Sequence, residues 1–163
     1  EYGILKNGEL HLRGIIRVHG RVVLRGNSGA PLRTFGQGIL IADEIVIESG
    51  IEKAEPDSIC VLSVRGADKN GNQQNQTIWV KTDEKIEASL VAVGYGHNCR
   101  VIPENNTLNL YGAMAVDELD IKRWKKAVEH KIKYDPVLAC DKDVYQVNLS
   151  RWVSFKRMLE SEE

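Results

Sequence analysis

Between Gly8 and Gly26 the chain reads GELHLRGIIRVHGRVVLRG, and the glycines at 14, 20 and 26 recur every six residues. Each interval holds a short alternating run: Leu10 and Leu12 against His11 and Arg13, Ile16 and Val18 against Arg17 and His19, Val22 and Leu24 against Val23 and Arg25. Side chains two apart on a strand share a face, so each run offers one apolar pair to one side. An apolar pair followed by a glycine corner is how a parallel β-solenoid turns from one face to the next while each coil stacks on the last. A meander of tight hairpins is the competing arrangement. None of these gaps carries the Asn-Gly or Asp-Gly pair that a two-residue hairpin favours, so the hexads point to the solenoid.

The remainder continues the β character. Asn27 to Gly38 reads as a Gly/Pro/Ser-rich corner or loop, followed by strands at Ile39–Ile41, Ile45–Ile47, Ile59–Val64, Thr77–Lys81, Lys85–Val93, Thr107–Tyr111 and Ala113–Val116. The near-continuous aliphatic stretches among them suggest strands covered on both sides, or solenoid strands beside a packed edge. Aromatic residues make up only 6% of the chain whereas Ile, Val and Leu abound, which favours β-structure with aliphatic stacking over a helical bundle. Residues 67–76 form a polar loop whose Asp68, Asn70 and Asn72 superficially suggest calcium, but Trp79 stands where the bidentate Glu is needed. After Val116 the pattern changes. Asp117 or Asp120 is suited to cap a short helix running through Lys131, a strand follows at Val144–Leu149, and Trp152, Phe155, Met158 and Leu159 fall at helical spacing near the end. The expectation is one mainly β domain over residues 1–163. Solenoid strands occupy residues 1–116, and a helix/strand cap over 117–163 includes a short C-terminal helix that closes one end.

No motif supplies a nucleophile, a phosphate cradle or a dinucleotide fingerprint. His97 and Cys99 lie two apart, yet a nucleophilic Cys needs an oriented base and structural zinc needs four ligands. Cys60, Cys99 and Cys140 form an odd set with no C-x-x-C spacing, so at most one intrachain disulfide can form, and buried thiols are the favoured reading. No enzyme activity, cofactor or metal is expected. Charge is unevenly placed: Lys6, Arg13, Arg17, Arg21, Arg25 and Arg33 against Glu1 and Glu9 give residues 1–36 a net +4, in a chain whose total is −1. If the apolar residues face inward, Arg13, Arg17, Arg21 and Arg25 form a basic stripe able to bind a polyanion such as DNA or an acidic glycan. No aromatic side chain lies between these arginines to stack bases, so a solvated outer face is the simpler reading.

Two resemblances add to this. The succession Gly112-Ala-Met-Ala-Val116, a variable segment, and Ile132-Lys-Tyr134-Asp135-Pro136-Val-Leu138 resembles the C-terminal part of minor-pilin-like envelope proteins associated with bacterial type IV pili. Ile86 to Ala92 resembles the strand that precedes this pattern, and Ser150-Arg151-Trp152 its Trp-containing end, so the likeness spans about Lys85 to Trp152. The long apolar N-terminal helix of such proteins is absent here, and Val153 replaces the acidic residue that often follows the Trp. The likeness implies a non-catalytic assembly module of the cell envelope or extracellular space, with envelope or pilus proteins as partners and an N-terminal anchor removed. It also marks Gly112, Tyr134, Asp135, Pro136 and Trp152 as structural positions. Pro136 keeps Asp135 extended, so its carboxylate is placed to accept nearby backbone N–H groups while the Tyr134 ring lies on the aliphatic core. The Gly-punctuated hexads, in turn, resemble the polymer-forming bactofilin scaffolds. All these readings share one expectation, a far-ultraviolet circular dichroism spectrum dominated by strand; a spectrum dominated by helix would overturn the architecture.

Overall fold

The computed structural model describes residues 5–64, 76–94, 99–104, 107–117 and 129–135. Over these residues the chain winds as a parallel β-solenoid of about four turns. A two-residue strand, β1 (Leu5–Lys6), folds back antiparallel on β2 (Glu9–Arg17), and β3 (Arg21–Leu24) completes the first coil. The second coil runs along β4 (Leu32–Ala42) and β5 (Glu44–Ile47), the third along β6 (Ile51–Lys53), β7 (Ile59–Val64) and β8 (Thr77–Val80). A bridge at Ile86, β9 (Ser89–Ala92) and β10 (Arg100–Pro103) make the fourth. β11 (Thr107–Tyr111) and β12 (Met114–Val116) begin another, and β13 (Glu129–Lys133) pairs in parallel with β11.

These strands stack into three faces because each coil repeats the inward positions of the one before. Register places Ile16, Leu40, Leu62, Leu90 and Met114 one above another. Leu32, Ile51, Ile86 and Leu110 form a second column, and Leu24, Ile47 and Val80 a third on the face made by β3, β5, β8 and β10. All of these side chains are buried. Burying one Leu or Ile stabilises the fold by roughly 1.5–3 kcal/mol. Two-sided coverage is found on β5, where Val46 is buried along with Ile45 and Ile47, whereas on β7 burial alternates and Ile59, Val61 and Ser63 are only partly covered.

The corners use glycine and borrow side chains from the next coil. Gly14 and Gly20 have φ of 73° and 104°, a region that a side chain with a Cβ rarely enters. The Gly20 N–H donates to Asp43 Oδ2 at 2.6 Å, Gly26 N–H to Ser49 Oγ at 2.7 Å, and Gly94 N–H to Asp117 Oδ2 at 2.6 Å, each partner 23 residues on. A corner amide left out of the ladders is thereby satisfied by the following coil. Gly112 serves a different need. A Cβ there would lie 2.0 Å from the Ala88 carbonyl oxygen, so only glycine allows the coils to approach at that point.

Several expectations are corrected. Leu32 to Gly38 is not a loop but the first half of β4, because its backbone pairs in register with Gly14 and the residues before it. β6 and β10 were not expected, being too short and too rich in charge and proline to show an alternation. The β1–β2 hairpin was legible in Asn7-Gly8, whose φ values of 53° and 76° are those of the mirror-image turn that this dipeptide favours. The helix expected to run through Lys131 does not reach that far. Glu129–Lys133 is a strand, its backbone claimed by β11, so the solenoid continues past Val116. The rest of that helix, the strand at Val144–Leu149 and the C-terminal helix lie outside the described residues. Among the described residues there is no helix. Since the columns carry the stability, Leu62→Ala should lower unfolding free energy by about 2–5 kcal/mol in urea titrations. Gly112→Ala should also be destabilising, although it adds apolar surface.

Candidate functional site

The four arginines proposed as a stripe are divided by a corner. Arg13 and Arg17 project from β2, with Ile15, 68% exposed, between them. Arg21 and Arg25 lie past Gly20, the first opening β3 and the second following its last residue, and β3 belongs to another sheet. Parallel register there puts acids beside them. The Arg21 guanidinium grips Glu44, with Nη2 3.0 Å from Oε1, and Arg25 Nε donates to Glu48 at 2.7 Å. In register past Arg25 and Glu48 comes Lys81, which lies 3.4 Å from Glu104, so charge alternates from coil to coil along this face. The hydrogen bond from Arg21 holds the Glu44 carboxyl below the usual range against the opposing effect of its burial, and Trp79 Nε1, 2.8 Å away, adds to it. Among the described residues no acid pairs with Arg13 or Arg17. The sequence signal for the ion pairs was present but non-local, because Arg21 and Glu44 are 23 positions apart.

A second surface group was not anticipated. His11 stacks on Phe35 with ring centroids 4.5 Å apart, and the Arg33 guanidinium lies 5.1 Å from the centre of the same ring. These side chains meet because β2 and β4 are in register. No group of three or more His, Cys, Asp or Glu residues able to hold a metal occurs among the described residues.

Asp135 lies against the interior. Asp135 is 4% exposed, and its carboxylate contacts the Lys53 ammonium, from the end of β6 and 82 positions earlier. The sequence had suggested nearby backbone N–H groups as its partners; no local rule could have named Lys53, which is brought there by the winding of three coils. Lys53 is in turn held by Glu87, whose Oε2 accepts its backbone N–H at 2.8 Å. Cys60 is buried close enough for the Lys53 charge to act on it. Burial pushes its thiol up to about 12, with Lys53 opposing the shift. Cys99 is buried as well, as expected of both. Tyr134 is half exposed rather than laid on the core. Gly112 sits at the close approach to Ala88 described above. Pro136, Trp152, His97 and Cys140 lie outside the described residues, so the His97/Cys99 pair does too.

Compared with known proteins, the chain matches no family model, no curated protein and no solved structure. Functional argument therefore rests on the geometry. Removing one member of a buried ion pair leaves the other charge in a dry site, which typically costs about 3–5 kcal/mol, whereas replacing both by apolar groups is often neutral. Asp135→Ala should destabilise by that order in chemical denaturation. Lys53→Met combined with Asp135→Leu should be more stable than Asp135→Ala alone, because no charge is then left buried without its partner.

Proposed function

We propose that this chain is a non-catalytic structural module of a bacterial envelope or type IV pilus-like apparatus. The observation that supports the reading most directly is the use made of the two segments that carry the likeness. The Gly112–Val116 run supplies β12 and a glycine that admits the neighbouring coil, and Asp135 is committed to an interior ion pair. Both are spent on holding coils together, which suits a part that transmits position or load and presents its outer faces to neighbours. The aliphatic columns and the alternating charges on the outer face serve the same end.

The polyanion reading is narrower than the sequence suggested. Arg21 and Arg25 are already neutralised, leaving Arg13 and Arg17 as the free pair of the original four. Two phosphate contacts give a logarithmic salt slope of roughly −2 and only about a tenfold loss of affinity between 50 and 200 mM salt. That is shallow for a dedicated nucleic-acid binder and favours the structural reading. A bactofilin-like polymer is the remaining alternative, since β3 has no strand on its outer side among the described residues.

Cross-linking in the source bacterium, followed by fractionation, tests the proposal. The protein is expected in the envelope or extracellular fraction, joined to pilus or envelope proteins. Recovery in the soluble cell interior with no such partners would overturn it. Homopolymeric cross-links together with filaments in electron micrographs of the pure protein would transfer the argument to the polymer scaffold.

A further inference from the structure

We propose that Lys53 and Asp135 are the two halves of an intramolecular isopeptide cross-link, an amide joining the side chain at the end of β6 to the side chain that follows β13. Three observations carry the inference. The Lys53 Nζ and Asp135 Oδ2 atoms are in direct contact, and the two side chains are only 11% and 5% exposed. The site is dry enough that burial dominates the neighbouring Cys60 thiol and pushes it up to about 12. The start of the Lys53 side chain is also fixed, because its backbone N–H donates to Glu87 Oε2 from the coil above.

These conditions are those under which an amine and a carboxyl condense. Condensation uses a neutral amine and a neutral carboxylic acid, so one proton first passes from Nζ to the carboxylate within the pair. The lone pair on Nζ then faces the carbonyl carbon Cγ with little water to compete. A bond forms between Nζ and Cγ, and one Cγ–O bond breaks. The departing oxygen leaves as water, carrying its own proton and one taken from Nζ. No oxidant, cofactor or second substrate is required. Folding supplies the proximity, since well-oriented intramolecular partners reach effective concentrations on the order of 10⁵–10⁸ M. Glu87 acts here as a positioning residue. Burial works to raise its carboxyl, but the hydrogen bond from Lys85, the Lys53 N–H and the two lysine charges outweigh it and keep the group ionised beside the lysine.

The location suits such a bond. Coils in a solenoid contact only their neighbours, so the stack is weakest to opening from an end. An amide between the third coil and the segment after the last described strand would tie the stack across the coils between. This does not depend on the envelope role proposed above, and a polymer scaffold would gain from it equally.

Intact-mass measurement of the folded full chain, after denaturation, decides the matter. The wild-type chain is expected to be lighter than its sequence mass by one water, and proteolysis should release a branched peptide joining residues 53 and 135. Lys53→Arg keeps the positive charge but not the primary amine, and it should appear at its full sequence mass with no branched peptide. A folded wild-type chain at the unmodified mass would overturn the proposal. So would a water loss that maps elsewhere, with residue 53 recovered in a linear peptide.

Discussion

Backbone pairing between successive coils is the constraint on which the rest of this structure depends. In a parallel solenoid each strand satisfies its N–H and C=O groups on the coils above and below, so every coil must keep the same register as its neighbours. Register survives only if the inward side chains stack without gaps. The column Ile16, Leu40, Leu62, Leu90 and Met114 meets that demand with five side chains of similar volume. Leu32, Ile51, Ile86 and Leu110 do the same on the adjoining face. The outer face follows passively: once the cores are aligned, Arg21 stands beside Glu44 and Arg25 beside Glu48, with no further choice of partner.

Corners are where this scheme comes under tension, since a chain that turns must leave amides outside the ladders. The molecule answers with glycines that turn and with short polar side chains, Asp43, Ser49 and Asp117, that reach from the next coil to the stranded N–H. The coils are not uniform. Between Ile51 and Cys60 the third coil makes an excursion, whereas the fourth passes from Ile86 to Ala88, the residues aligned with them, almost directly. Lys53 lies at the start of that excursion, and Asp135 returns to meet it. A buried ion pair is thus found where the regular stacking is interrupted and apolar columns alone do not fill the space.

Such an organisation bears on function through what it leaves available. Interior positions are committed to packing and corners to hydrogen bonding, so chemistry directed outward must come from the exposed faces. There the acids and bases largely pair with one another. Arg13, Arg17 and the outer side of β3 are among the features of the described surface not absorbed in this way, whereas His11 and Arg33, which flank Phe35, share Glu9.

The glycine hexad and the aliphatic alternation determined the fold class, because corner geometry and the period of two are local properties of the backbone. Strands such as Ile45–Ile47 and Ile59–Val64 were legible for the same reason. Asn7-Gly8 carried a readable turn signal as well. What the sequence could not settle are the features created by the winding itself. Leu32–Gly38 looks like a loop by composition, and Glu129–Lys133 looks like the end of a helix; each becomes a strand only because a neighbouring coil claims its hydrogen bonds. The arginines read as one stripe along the chain, yet the corner at Gly20 divides them and the next coil supplies acids to half of them. The pairing of Asp135 with Lys53 across 82 positions is the extreme case. Proximity of that kind depends on the number of residues in every intervening coil, a sum over the whole winding that no local pattern records.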